Sequence, residues 1–448
     1  MFAVKNRSNP PTLPAYSLAA RSFLTLPEYL LRLRHEHGPV VRFHRPGRDV
    51  YSFSEPALVE EVLVTKGSSF MKGRGTQRLG LLLGRGLLNA EPPEHLRNRR
   101  LIQPLFHRKR IEGYAEIMVA ETRKRVAAWR EGQAVDIEHE TNRLALDIVA
   151  KSVFGSDLSR DMDTISQTMN GLMHGFPKLM KPFSERFDWL PTPTMLRLAS
   201  AKRRLDAVIY RMIHEHRAGG GDPNDLLSWL LEARDEAGAG LTDKQIRDEA
   251  LTILLAGHET TANAIAWTFY MLQRQPEIER RVHEQVDRVL GERAATAEDV
   301  PQLDYVRAVF AEAMRLYPPA WITARKAIKA VTIGEYALKP GDVVIMAQYV
   351  SHRDPRFFPE PERFDPERWF GPPPPKFAYY PFGGGQRLCI GESFAWTEGV
   401  LAIASIAQAV RLVRVDDATV GTLPLVTLRP SSPIHARVEL RTRTLERA

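Results

Sequence analysis

The sequence predicts a mainly α-helical protein with a minor β region, built as a single large domain over residues 1–448. Three observations carry this. Helical apolar periodicity dominates from about residue 94 to 290. Strand-like runs are confined to short stretches near the start and after residue 330. No composition shift long enough to be a linker divides the chain. With 44% hydrophobic and 26% charged residues, the 448-residue chain has ample apolar material for a large core.

Residues 1 to about 60 read as a mixed strand and helix region. VVRF (40–43) and VYSF (50–53) flank Pro46-Gly47 as two short strands around a turn. The opening stretch MFAVKNRSNPPTLPAYSLAARSFLTLPEYLL is broken at Pro10, Pro11, Pro14 and Pro27 and lacks a sustained apolar core. A cytoplasmic protein with no signal peptide and no membrane span is therefore expected.

Residues 61–330 form a helical body, interrupted by loops at GGGDP (219–223) and GAG (238–240). Inside it, ALTILLAGHETTANAIAWTFYML (250–272) is long enough to raise a membrane span, but His258, Glu259 and Asn263 sit in its middle. Thr242 and Gln245 offer a capping box and Pro276 a stop, which places a helix from about 243 to 273 in the centre of the protein.

Residues 331–395 begin with VTIGEYAL (331–338) and DVVIMA (342–347), expected to pair as strands turning at Lys339-Pro340-Gly341. The stretch DPRFFPEPERFDPERWFGPPPP that follows is too rich in proline for helix or central strand. A second long helix is expected over GESFAWTEGVLAIASIAQAV (391–410), followed by C-terminal strands in a closing region that spans about 396–448.

The formal net charge of +8 is diffuse, and no interleaved basic and aromatic motif accompanies it, which argues against nucleic acid. The single cysteine, Cys389, excludes an intramolecular disulfide and fits a reducing compartment. It lies in PFGGGQRLCIG (381–391), where Arg387 and the start of the following helix should both favour thiolate. Gly383, Gly384 and Gly385 let backbone and a flat object approach closely. A cysteine hydrolase would need a histidine partner and an oxyanion pocket. Zinc would need more ligands than the isolated histidine pairs at 35/37 and 214/216 supply. One thiolate suits haem iron.

In the central helix, Gly257 costs about 1 kcal/mol relative to alanine but clears space for a ligand. Glu259, Thr260 and Thr261 place an acid and hydroxyls beside that gap, as proton delivery to bound oxygen requires. The same residues also read as a satisfied polar kink in a buried helix, with threonine bonding back one turn.

The segment Phe382 to Gly391 resembles the haem-binding loop of the cytochrome P-450 family, the haem-thiolate monooxygenases, at every defining position. Further segments resemble the family in its order, over residues 95 to 429. The resemblance implies the cytochrome P-450 fold, with haem b buried between a distal and a proximal helix and Cys389 as its iron ligand, the metal site. Phe382 and Gly391 would contact the cofactor, and Arg387, His95 and Arg99 of HLRNR, and Arg325 would meet its propionates. Ala256 and Gly257 would form the oxygen groove, with Glu259 and Thr260 as the catalytic acid and alcohol. Glu312 and Arg315 of EAMR, with Arg363 of PERF, would form a structural charge cluster.

The same resemblance implies O2 as co-substrate and NAD(P)H acting indirectly, through a ferredoxin or flavodoxin and its reductase. The basic run Arg97 to Arg110, including Arg100, Arg108 and Lys109, is the expected docking face. Substrate contacts are expected in the loop around 70–90 with Leu81 and Leu82, at Ile253, at Ala320, Trp321 and Ile322, and at Val426 within Leu425 to Thr427. Met162, Met169, Met173, Met180 and Met195 form an adaptable apolar set suited to a lid. A monomer acting on a lipophilic small molecule, a fatty acid, terpenoid, steroid or carotenoid, follows. The rivals are a peroxide-dependent hydroxylase or a hydroperoxide lyase or isomerase of the same fold, and a noncatalytic haem or lipid carrier.

Overall fold

The computed structural model describes residues 10–14, 23–44, 47–155, 161–180, 184–219 and 225–441. Pro46, most of the GGGDP loop and most of the opening stretch lie outside the described residues, as does the side chain of Met162. The longer helices are α1 (Leu26–His37), α2 (Arg74–Leu83), α3 (Glu94–Ile102), α4 (Arg108–Ala127), α5 (Ile137–Phe154) and α6 (Met162–Leu179). After them come α7 (Pro193–Arg217), α8 (Asp243–Leu272), α9 (Pro276–Leu290), α10 (Asp304–Leu316) and α11 (Glu392–Ala409).

Helix α8 is the axis of the molecule. Its start is set by the expected capping box, in which Thr242 Oγ1 accepts from the Gln245 N–H at 3.3 Å and Gln245 Oε1 accepts from the Thr242 N–H at 2.9 Å. Largely apolar beyond Ala250 except for the polar stretch around His258 to Asn263, it buries most of its surface, packing against α5, α7, α10 and α11. Among the described residues, no helix is long and apolar enough to cross a membrane.

The main sheet has six strands in the order β1-β2-β3-β9-β6-β4: β1 (Thr12–Pro14), β2 (Val40–His44), β3 (Val50–Phe53), β4 (Phe70–Lys72), β6 (Thr323–Ala327) and β9 (Val343–Met346). The β2–β3 hairpin pairs Val40 with Phe53 and Phe43 with Val50, as the alternation in sequence predicts. The expected pairing of 331–338 with 342–347 is not formed. Residues 331–338 fold on themselves as β7 (Val331–Ile333) and β8 (Tyr336–Leu338), turning through Gly334 at φ +53°. β9 instead lies between β3 and β6. The physical reason is burial on both faces: Val344, Ile345 and Met346 are all buried, which suits a central strand and not one arm of an exposed hairpin.

A second sheet joins β10 (Val410–Arg414), β13 (His435–Leu440) and β5 (Ala134–Asp136), while β11 (Thr422–Pro424) and β12 (Leu428–Pro430) make a hairpin. The tip of that hairpin, residues 425–427, is held by two fully buried tryptophans. Trp321 Nε1 donates to the Leu425 carbonyl and Trp267 Nε1 to the Leu428 carbonyl, each at 3.1 Å.

The proline-rich stretch after β9 forms only a short 3-10 turn, Pro366–Phe370, and is tied to α10 by a buried charge network. Arg315 Nε and Nη2 donate to the two Glu312 oxygens at 2.9 Å, and both side chains are fully buried. The remaining Arg315 donors reach the carbonyls of His352, Pro361 and Arg363. Arg363 therefore enters by its backbone, and its side chain turns outward to Glu360. The third charged side chain is Arg368, whose Nε meets Glu312 Oε1 at 2.9 Å, with Trp369 Nε1 on Oε2 at 3.0 Å. Glu312 needs donors on both oxygens to sit in the core: Arg315 supplies one to each, and the Asp365 N–H, Arg368 and Trp369 add the rest.

Candidate active site

A cavity of about 1970 Å³ lies between α8 and the loop that precedes α11, walled also by α5, α6, β6 and the β11–β12 tip. Cys389 opens onto it, so its thiol is accessible although protein surrounds it. The Cys389 N–H donates to the Phe382 carbonyl at 3.0 Å, closing the glycine-containing loop. Gly383 and Gly385 take φ of +74° and +66°, and a Cβ on Gly385 would strike the Leu63 carbonyl. The loop is therefore pressed onto the turn that carries Leu63, and glycine is required there by the protein's own packing.

Burial pushes the Cys389 thiol up to about 11, and the Gly391 N–H and Arg99 only partly oppose it. This corrects the expectation of a thiolate set by Arg387. The Arg387 guanidinium turns to the Ala90 carbonyl, at 2.6 Å, and to the Glu91 carboxylate. Arg99 is the cation the sulphur feels, fixed by its bond to the Leu388 carbonyl at 2.7 Å. Only a cationic metal centre brought to the sulphur would deprotonate it outright.

Along one side of the cavity the expected His95, Arg99, Arg325 and Arg387 are joined by Lys72 of β4, which the sequence reading missed. Lys72, Arg325 and Arg387 line the cavity, while His95 is buried among them. Desolvation and then the neighbouring cations Arg387, Lys72, Arg99 and Arg325 push the His95 imidazole down to about 3. Burial, with the other cations, also lowers Lys72 well below its usual range and Arg325 to about 10. Glu91 is the carboxylate facing this surplus, so the wall is built to receive further negative charge.

On the opposite wall, Ala256, Gly257, Glu259, Thr260 and Thr261 of α8 line the cavity. Thr260 Oγ1 donates back to the Ala256 carbonyl at 2.6 Å. A Cβ on Gly257 would stand 3.1 Å from Val149 Cγ2, so this glycine also lets α5 pack against α8. Glu259 is buried, and its Oε1 accepts from Arg429 Nε at 2.7 Å and from the Thr427 hydroxyl. The sequence marked Thr427 only within a substrate-contact stretch and gave neither residue as a partner of Glu259, because both come from the far β11–β12 hairpin.

The cytochrome P-450 family profile matches residues 16–433. The chain belongs to the cytochrome P-450 family. Cyclooctatin synthase of Streptomyces melanosporofaciens is 36% identical over 404 residues, covering 88% of this chain and 87% of that protein. Cyclooctat-9-en-7-ol 5-monooxygenase of the same organism is 35% identical, covering 87% and 88%. Pentalenene oxygenase of Streptomyces avermitilis is 32% identical, covering 91% of each.

A P-450 carries haem and uses dioxygen, and the residues present fit that group. The accessible sulphur supplies one soft ligand and the cation surplus a seat for two propionates. Of the expected substrate residues, Ile253, Ala320, Ile322 and Val426 line the cavity of this P-450. Leu81, Leu82 and Trp321 do not. Leu82 lies one turn along α2 from Leu79 and is packed into the same core cluster, and Leu81 packs beside that core. Trp321 is fully buried as the anchor of Leu425. Met169 and Met173 pack into the core, Met195 packs against its edge, and Met180 lines the cavity. Within the basic run, Arg97 pairs with Asp235, Arg100 with Glu236 and Arg108 with Glu112, which neutralises part of it.

Proposed function

We propose that this P-450 monooxygenase oxidises a polycyclic terpenoid, with electrons drawn from NAD(P)H through a separate ferredoxin or flavodoxin and its reductase. The observation that carries the substrate class is the apolar wall facing Cys389. Leu79, Val149, Val153, Ile253, Ala320 and Val426 offer contact area and shape without a polar anchor, as a hydrocarbon skeleton requires. Support comes from the relatives, whose names refer to cyclooctatin, cyclooctat-9-en-7-ol and pentalenene.

Cys389 would hold the iron, and Lys72, His95, Arg99, Arg325 and Arg387 would hold the propionates. When bound, the haem supplies the activation of dioxygen and the transfer of one oxygen atom to the substrate, the other leaving as water with two electrons and two protons. The chain's own residues do the rest. The aliphatic wall excludes water and orients one C–H bond. Thr260 holds a hydroxyl at the cavity face of α8, and Glu259 is the buried carboxyl one residue away, bordering the same cavity, that would serve as the acid. The peroxide-driven alternative would have no use for that pair.

The test is a titration of the haem-loaded protein with pentalenene and cyclooctat-9-en-7-ol, followed by the low-spin to high-spin absorbance change and by turnover with a surrogate ferredoxin, its reductase and NADPH. The expected result is a saturable shift and a hydroxylated product. A shift with fatty acids alone, or turnover with hydroperoxide and none with NADPH, would overturn the reading. Cys389→Ser should abolish the red-displaced Soret peak of the carbon monoxide adduct.

A further inference from the structure

Glu249 on α8 is a buried carboxylate that no cation among the described residues pairs with. Its Oε2 accepts from the Leu87 N–H at 2.8 Å and its Oε1 from Asn98 Nδ2 at 2.6 Å. The two donors belong to different elements. Leu87 lies in the segment 84–91 that follows α2, and Asn98 lies on α3 between His95 and Arg99.

Segment 84–91 has α8 on one side and the cationic wall of the cavity on the other. Toward α8, the Arg85 N–H donates to Asp248 Oδ2 at 2.9 Å, and a Cβ on Gly86 would strike the Asp248 carbonyl. Toward the wall, Lys72 Nζ donates to the Leu88 carbonyl and Arg387 Nη1 to the Ala90 carbonyl, the latter at 2.6 Å. Glu91 accepts from both the Arg387 guanidinium and the Lys72 N–H. Leu88 also lines the cavity. One segment and one helix therefore tie the cationic wall to α8, and Glu249 holds both.

We propose that Glu249 is a positioning residue that, by clamping segment 84–91 and α3 onto α8, sets where Lys72, Arg99 and Arg387 stand around the haem propionates. The inference rests on the wall seating haem, as argued above, and not on the substrate class. Ionised, the carboxylate accepts from both N–H groups at once. A proton on Oε2 would meet the Leu87 N–H, which cannot turn away. A proton on Oε1 meets Asn98, whose amide can rotate to present Oδ1, an atom with no hydrogen-bond partner among the described residues. The neutral acid thus keeps its place but trades a charge-assisted bond for a weaker one.

The charged groups facing Glu249 are Asp248 beside it on α8 and Glu94 at the start of α3, both acidic. Lys244 and Arg247 pair with Asp248, and Arg85 pairs with Glu94. Burial, opposed by the two N–H donors and aided by Asp248 and Glu94, raises the Glu249 carboxyl to about 7. The clamp therefore tightens as pH rises through neutrality, although ionising this group lowers the stability of the fold as a whole.

The test titrates the haem-loaded protein across neutral pH. It reads the propionate bending bands of the resonance Raman spectrum and the rate of haem loss to excess apomyoglobin. In the parent the bands should shift with a midpoint near pH 7. Haem loss should slow by about 10-fold on the alkaline side, the weight of one hydrogen bond to a charged group. Glu249→Gln, which copies the neutral acid in shape, should abolish the step in both readouts. Asn98→Ala removes one donor to the carboxylate and should move the midpoint up by about one pH unit. That variant decides the matter should Glu249→Gln fail to fold. A parent without a step, an unchanged step in Glu249→Gln, or an unmoved midpoint in Asn98→Ala would overturn the inference. With a normal carbon monoxide spectrum in the parent, any of these leaves the haem site standing. A chain that takes up no haem overturns the site and the inference together.

Discussion

Arg315 illustrates what one side chain can fix. Its donors are all committed between Glu312 and three backbone carbonyls, and Arg368 completes the carboxylate's shell. Arg368→Ala should therefore cost about 1.5–3 kcal/mol, the range for a hydrogen bond to a buried charge. Arg363→Ala, whose side chain meets only an exposed Glu360, should stay within about 0.5 kcal/mol. Urea midpoints at constant slope would check the order, and a reversal would refute the assignment. The Glu312–Arg315 spacing was readable because helical geometry places i and i+3 together. The third member was not, because Pro361-Glu362-Arg363 and Pro366-Glu367-Arg368 sit in irregular chain where no period says which arginine turns inward. Trp321 misled for a similar reason, since a large apolar residue beside a substrate-facing one reads the same whether it faces cavity or core.

At the scale of elements, the glycine loop and α8 were legible and their partners were not. Three consecutive glycines announce an unusual backbone, but the carbonyl that forbids a side chain at 385 belongs to Leu63, far upstream. Gly385→Ala should lose about 1–2 kcal/mol for the left-handed φ alone and more because the loop must lift from Leu63. The ratio of Soret to protein absorbance after purification should fall, and full haem retention would show that the contact yields. Strand alternation likewise located β9 but could not name its neighbours, which depend on which faces other elements cover. The clamp of Thr427 and Arg429 on Glu259 was invisible for the same reason.

Across the whole molecule, several histidines are buried in neutral form. His352, fully buried, accepts the Tyr380 N–H on Nε2 at 3.0 Å. Desolvation, then Arg315 and Arg353, push it down to about 3, and burial takes His258 and His283 to about 4. An unfolded chain would protonate these imidazoles near 6.5, so it binds more protons than the native state between that value and the native one. Stability is thus lost as pH falls below about 6.5, by at most about 1.4 kcal/mol per unit for each residue. Glu138 and Glu249, raised by burial to about 7, act oppositely: their contribution is full below about 4.3 and fades as pH rises to 7. Denaturant midpoints measured from pH 7 to 5 should fall less steeply for His352→Gln than for the parent. Parallel slopes would show that His352 titrates normally.

The tip at 425–427 has its ends bolted to two interior indoles while Val426 between them faces the cavity. Such a mount separates the identity of the exposed residue from the integrity of its support. Lineages, or directed evolution, can then exchange the side chain at 426 to reshape what is accepted, while the frame that presents it goes on folding as before.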